Sequence, residues 1–458
     1  MTHQIPTESF RPSSPQGEAR SVRHARKVAR VSEQLRHRKS TAPLSRQKRT
    51  VSHQVPKVRD RKHSDEKIDL GDFDEIIEVD PERRLCIAEP GVPFCKVVDA
   101  TLPFGLVPIV VPELKTITIG GAVAGCSIES MSYRYGGFHD TCLEYEIITA
   151  KGDVLVCAPD NQHSLIFQMM HGSFGTVGIL ARLVFRLTPA KQFVHLRHEQ
   201  HRSIDGYLDS IWSHFERQDV DFMDGIIHSP GHLSLCVGDF VDEAPYTNRY
   251  DWMKIYYQST ATRTEDYLRT PHYFYRYDKG VTNVHPKSLL GRFLFGRFLG
   301  SSEILRLAER LRWFLLSDDR PMVTVDTFLP FSRMKDFMTW YAKDFGHFPL
   351  WCVPYRRVHD YEWLAESFWE KMTDTLMVDI AIYGMQQKGE TNYYRLMEEK
   401  LQELGGIKTL ISYNYYPEDE FWTIFNRPNF EAVKAITDPD NIFRNLYEKT
   451  CRAAMGKE

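Results

Sequence analysis

The chain has 458 residues, 42% of them hydrophobic and 26% charged, with a formal net charge of −3; it is longer than one typical domain and can bury two cores. No run approaches the roughly eighteen apolar residues of a membrane span, and none resembles the apolar stretch of a secretory signal, so neither is expected. The eight cysteines form no CxxC pair and are spread thinly, which argues against a metal site or a disulfide framework and makes a reducing compartment the default.

The charge is unevenly distributed. The first sixty-two residues hold sixteen Lys/Arg against four Asp/Glu. Residues 1–21 are expected as a disordered basic tail, rich at first in Ser, Pro and Gln, and residues 23–39 as a basic helix. That helix reads as a solvated lead-in to the first domain, or alternatively as a nucleic-acid address; no nucleic-acid partner is expected. Strands follow at 73–80 and 84–89, then a helix at 92–102.

At 111–130 a β-branched run feeds directly into small residues. Gly120, Gly121 and Gly125 carry no Cβ and are free to take φ > 0, which lets neighbouring N–H groups converge on an anion such as a pyrophosphate, with Ser127 and Ser130 adding hydroxyls. The spacing is neither GxGxxG opening a helix after a strand nor GxxxxGK[ST], and a tight turn without a ligand is the other reading. Cys126, inside this loop, is assigned to packing. Residues 143–157 read as a hairpin across a Lys-Gly-Asp turn. Residues 172–190 repeat the theme, a glycine loop running into a strand closed by proline. Two such loops can clamp one extended ligand.

Beyond Lys191 the segments become longer and more aromatic. Residues 205–218 form a helix with Leu208, Ile211, Trp212 and Phe215 on one face, and strands are expected at 233–241, 322–328 and 376–383. In the last of these, Leu376, Val378, Ile380 and Ile382 share one face, while Asp379, Ala381 and Tyr383 share the other. Asp326 lies in a similar strand; the alternative for either carboxylate is an ordinary solvent-facing position. Within residues 273–278, Arg276 is suited to an anionic group such as a cofactor phosphate, or to a salt bridge with Asp278. Residues 285–316 interleave leucine and phenylalanine with Lys287, Arg292 and Arg297. They read either as an interfacial segment touching lipid or as a buried helix pair.

The two glycine loops with the strands around them resemble the flavin-binding domain of the vanillyl-alcohol-oxidase type. The likeness continues through Thr50-Val-Ser52, Ile77-Glu-Val-Asp80, Glu89-Pro90, Val111-Pro-Glu-Leu114, Gly120-Gly121, Ile128-Glu-Ser130, Tyr135-Gly136, Gly175-Thr176, Gly178, Pro189-Ala-Lys191, Asp379-Ile380, Tyr383-Gly384 and Glu420-Phe-Trp422. Over nearly the whole chain this pattern resembles the delta-24 sterol reductase family. The resemblance implies an α+β fold: a two-subdomain PCMH-type FAD-binding domain at 22–190, an α+β cap at 191–416 and a C-terminal segment at 417–458 returning to the first domain. It also implies non-covalent FAD along Thr118, Ile119, Gly120, Gly121, Ala122, Gly125, Cys126, Ser127, Ile128, Glu129 and Ser130, with Ser52, His53, Gly175 and Gly178 alongside. Some related oxidases attach FAD to a histidine near the place of His53, but the residues around it follow the reductase pattern.

By the same resemblance, NADPH supplies electrons and a carbon–carbon double bond of a sterol or isoprenoid-like lipid is reduced. An isolated alkene has no carbonyl to hold negative charge, so such a site needs a protonated acid in an apolar pocket. Asp379, Tyr383 and Asp326 are the candidates for that chemistry, with Arg276 as an anion-binding side chain. The animal and plant members begin with a hydrophobic anchor that this sequence lacks, so a cytoplasmic, membrane-peripheral location is expected, with contact through 285–316. Two alternatives stay open: an FAD oxidase or dehydrogenase of a hydroxylated substrate such as a polyol or sugar, and a catalytically idle flavin- or lipid-binding protein.

Overall fold

The computed structural model describes residues 10–50, 52–55, 57, 60, 62, 64–251, 253–280 and 321–456. Three sheets organise them. A parallel pair, Leu44–Gln47 with Glu66–Asp69, stands apart. The second sheet is antiparallel and runs in the order Ile76–Asp80, Leu85–Ala88, Ile179–Pro189, Cys142–Ile148 and Val154–Cys157, with Leu106–Pro108 pairing the far end of Ile179–Pro189. Ile179–Pro189 is its spine, and most of its residues are buried on both faces, so its sequence reads as a nearly continuous apolar run before proline closes it.

The third sheet has eight strands in the order Glu265–Arg269, Phe193–His201, His232–Val241, Phe222–Ser229, Leu350–Arg356, Leu376–Met385, Val323–Pro330 and Ile407–Lys408. The chain crosses from the second sheet to the third between Pro189 and Phe193. The hairpin expected at 143–157 is present, and Gly152 holds its turn at φ 79°. A Cβ there would meet Ser32 O at 2.4 Å, so turn and helix packing both demand glycine at this position.

That helix, Pro15–Arg36, begins inside the stretch expected as a tail, and residues 1–9 lie outside the described residues. Ser14 caps it, its Oγ accepting from Gly17 N at 3.0 Å. Its basic residues meet carboxylates of the sheet: Arg23 with Glu75 at 2.5 Å, Lys27 with Glu89 at 2.8 Å and Arg30 with Asp72 at 2.7 Å. Val28, Val31 and Leu35 are buried beneath.

The helix Ile204–Arg217 buries Tyr207, Ile211, His214 and Phe215, whereas Trp212, expected on that face, is 42% exposed. At the C-terminal end, Ala150 N donates to Thr437 O and Leu44 N to Ile442 O, each at 2.7 Å. Arg444 pairs with Asp65 at 2.5 Å. These contacts hold the last segment against the first two sheets. No helix among the described residues is long and apolar enough to cross a membrane. Residues 285–316 lie outside the described residues.

Candidate active site

A cavity of about 1160 Å³ lies between the glycine loops and the inner face of the eight-stranded sheet. Its floor is the first loop, where Thr118, Gly120, Gly121, Gly125, Cys126, Ser127 and Ile128 all face it. The second loop joins it directly: Gly172 N donates to Val123 O at 3.3 Å and Phe174 N to Ala124 O at 3.0 Å. The two bends therefore share one groove.

The glycines serve that groove differently from the expectation. None of the three takes a positive φ; Cys126 does, at 54°. Their N–H groups are already engaged, Gly120 N with Pro90 O at 3.0 Å and Gly121 N with Thr118 Oγ1 at 3.2 Å. A Cβ on Gly120 would lie 2.4 Å from Pro90 Cβ, so this glycine permits close packing behind the wall.

The roof is acidic at one end. Asp326 and Phe328 on Val323–Pro330, and Asp379 and Tyr383 on Leu376–Met385, point into the cavity, while Val378, Ile380 and Ile382 pack into the core behind. The alternation expected at 376–383 is thus realised. Tyr383 Oη donates to Asp326 Oδ1 at 3.0 Å, and Asp379 Oδ1 accepts from Thr327 N at 2.9 Å. Asp379 is 2% exposed. Burial, reinforced by the neighbouring Asp326, holds its carboxyl well above the usual range, and burial pushes Asp326 up to about 6 against the pull of the Tyr383 hydroxyl.

Glu113, which the sequence pattern did not single out, lines the same end. Burial pushes it up to about 8, with Glu129 and Asp326 adding repulsion. The signal available was a carboxylate inside the apolar segment Val111-Pro-Glu-Leu114.

The other end is basic, lined by Arg46, Lys48, Arg49, Lys62, Lys67 and Lys449. Arg46, Lys48, Arg49 and Lys62 belong to the cation-rich first sixty-two residues, whose charge reads from the sequence as a solvated helix or a nucleic-acid address and not as part of a site, and nothing local marks Lys449. Ser52 and His53 also face the cavity. His53 Nε2 lies 3.0 Å from Thr116 Oγ1; burial pushes the ring down to about 4, so it is neutral at pH 7, and its Nδ1 has no partner among the described residues.

Several expected site residues lie elsewhere. Ile119 and Ala122 belong to the core, and Gly178 accepts from Arg46 Nη2 at 2.6 Å behind the second loop. Ser130 Oγ accepts from Tyr273 Oη at 2.8 Å. Arg276 is fully buried and binds no open anion site. Its Nη2 pairs with Glu129 at 3.0 Å and Asp224 at 2.9 Å, and its guanidinium lies over the Tyr273 ring at 4.2 Å. Two carboxylates and three phenol rings balance its charge, so Arg276 is a structural node, and Asp278 is not its ion-pair partner.

A family model described as an FAD binding domain matches residues 24–158. The chain carries an FAD-binding domain. Its relatives include the Delta(24)-sterol reductase of Homo sapiens, 26% identical over 431 residues that cover 88% of this chain and 81% of that protein. The Delta(24)-sterol reductase of Arabidopsis thaliana is 25% identical over 431 residues, 84% of this chain and 76% of the other. A Delta(24)-sterol reductase homologue of Caenorhabditis elegans is 23% identical over 471 residues, 94% and 88% respectively. The chain is an FAD-dependent oxidoreductase related to these enzymes.

The residues present fit that cofactor. An extended dinucleotide needs a long cavity, a cationic stretch for its phosphates and orphaned polar atoms to bind its ring and ribose. The cavity supplies the first two, and His53 Nδ1 and Thr409 Oγ1, both buried on its walls without a partner among the described residues, supply the third.

Proposed function

We propose that the chain is an NADPH-driven reductase of a carbon–carbon double bond in a sterol or isoprenoid-like lipid. The single observation that carries this reading is the polarity of one cavity: cations gather at one end, and at the other a buried carboxyl keeps its proton beside a phenol. The first end suits phosphates, the second a proton-demanding reduction. Bound FAD would supply the hydride, drawn from NADPH.

The chain's own residues would do the rest. Asp379 holds a proton at Oδ in a dry setting and delivers it to the less substituted alkene carbon, so that the tertiary carbon becomes the hydride acceptor. Tyr383 and Asp326, joined by their hydrogen bond, hold a second proton beside the same strand and can refill the site. Phe328 and Trp351 shield this end from water. A narrow apolar slot opens off the cavity past Phe174 and Phe328 and is walled by Trp363, Trp369, Met372 and Leu410. Such walls favour a lipid over a polyol.

A lipid substrate calls for contact with a membrane surface, so a cytoplasmic, membrane-peripheral location belongs to the proposal. The test is anaerobic reduction of the purified flavoprotein followed by lipid mass spectrometry. Bleaching by NADPH and conversion of a side-chain-unsaturated sterol to its saturated product are expected. Bleaching by a polyol or sugar, with NADPH inert, would overturn it.

A further inference from the structure

The basic end of the cavity contains cations that no carboxylate among the described residues pairs with. Lys48 follows the strand Leu44–Gln47, and Lys449 sits in the helical turn Glu448–Arg452 near the other end of the chain. Both face the cavity that Gly121 and Gly175 also line. Two of their cationic neighbours are already engaged: Arg46 Nη2 donates to the carbonyls of Gly175 and Gly178, and Lys62 pairs with Asp60 at 3.3 Å. Among the described residues no carboxylate forms an ion pair with Lys48 or Lys449.

Lys48 is exposed to water through the cavity, and the cavity walls with the charge of Arg46 push it down to about 8. Lys449 faces Arg46, Lys48 and Lys62, with Asp60 opposing them, and burial with this crowding pushes it down to about 7. Two amines that line one cavity without an ion-paired carboxylate among the described residues are stabilised by an arriving anion. On the floor, the N–H groups of Ile119, Gly120 and Gly121 are already bonded to Val92 O, Pro90 O and Thr118 Oγ1, and the two lysines bring a full charge that backbone donors lack.

We propose that Lys48 and Lys449 form a phosphate clamp that takes the diphosphate of a dinucleotide and ties the C-terminal segment to the first domain as the ligand binds. This rests on the reading of the cavity as a dinucleotide site. The shared chemistry is a diphosphate, and it has two sources: the flavin dinucleotide or the nicotinamide one.

The experiment uses the full chain with Lys48→Met, Lys449→Met and the corresponding arginine variants. Inorganic pyrophosphate is added first to flavin-free protein, and thermal unfolding is followed. The wild type and the arginine variants are expected to be stabilised, and each methionine variant much less. Titrations with FAD, riboflavin and NADPH then separate the sources. FAD binding weakened tenfold or more with riboflavin unchanged assigns the clamp to the flavin's diphosphate; NADPH binding weakened with FAD unchanged assigns it to the nicotinamide nucleotide. A pH series adds a signature that general damage would not produce. Pyrophosphate binding by the wild type should weaken between pH 7 and pH 9 relative to Lys449→Arg, whose guanidinium stays charged. The clamp is overturned if both methionine variants keep wild-type affinity for all these ligands, or if affinity is lost and arginine does not restore it. Pyrophosphate binding without alkene reduction would sink only the proposed reaction, whereas alkene reduction with unaltered cofactor binding in the variants would sink only the clamp.

Discussion

Replacing Glu113 by glutamine should stabilise the flavin-free protein, and by an amount that depends on pH. The carboxyl lines the acidic end of the cavity, where burial and the nearby Glu129 and Asp326 push it from 4.5 to about 8. A carboxyl raised in the folded state contributes fully to stability only below its unfolded value, and stability is lost as pH rises from there to the folded value. Each pH unit in that interval costs about 1.4 kcal/mol, so keeping Glu113 in place at pH 7 costs about 3 kcal/mol relative to a neutral side chain, and under 1 kcal/mol at pH 5. Water in the cavity screens part of this, which lowers the expected gain to about 1–3 kcal/mol at pH 7. Glutamine matches the protonated carboxyl in shape and cannot ionise. Chemical denaturation of both proteins at pH 5 and pH 7.5 should give nearly equal stability at the lower pH and a more stable variant at the higher. A variant that is less stable at pH 7.5, or equally changed at both values, would refute the placement of Glu113 in a partly desolvated, carboxyl-rich corner.

Three further outcomes follow from the same geometry. Asp379→Asn should slow alkene reduction by about 100-fold or more while leaving flavin bleaching by NADPH within a few-fold, measured by stopped-flow absorbance, because it removes a proton donor and not a cofactor contact. Arg276→Met should destabilise the protein by about 3–5 kcal/mol in denaturation experiments, since it strands Glu129 and Asp224 as buried, uncompensated charges. His24 lies 2.9 Å from both Glu89 and Glu146. Burial opposes its charge, but hydrogen bonds to the two carboxylates outweigh that and raise its pKa above 6.5. Its contribution is complete below pH 6.5 and is lost as pH rises through the raised value. Hydrogen exchange in Pro15–Arg36 should therefore accelerate above neutrality in the wild type and much less in His24→Gln.

The parts of the site that were legible in the sequence are those set by local period and turn chemistry. Strand alternation alone put Asp379 and Tyr383 on one face, because a period of two leaves no other choice. The two glycine loops were recognisable as partners because each is poor in side chains and adjoins a strand-like run, and their hydrogen bonds at Val123 and Ala124 bring them together. Long-range choices left no local trace. Arg276 has Asp278 two residues away, yet it takes Glu129 and Asp224, which reach it from different parts of the fold and share its dry interior. Lys449 looks like any helical surface lysine until the C-terminal segment folds back against the strand Leu44–Gln47. Trp212 fits the apolar face by spacing, but Tyr207 and His214 occupy the interior and leave the indole outside.

The protonation state of the acidic end also bears on the direction of electron flow. Oxidising a hydroxylated substrate requires a base that is free to take the hydroxyl proton as hydride leaves. Asp379 is a poor base for that purpose, since burial and its neighbour Asp326 keep it protonated, and a single backbone N–H from Thr327 is its only bonded donor among the described residues. Asp326 is more easily ionised, but its Oδ1 is occupied by the Tyr383 hydroxyl, which is itself held protonated by burial and by Asp326. The end of the cavity beneath the cap therefore stores protons. Adding a proton and a hydride across an isolated double bond consumes that store, whereas removing them from an alcohol would have to enlarge it against the same desolvation that fills it.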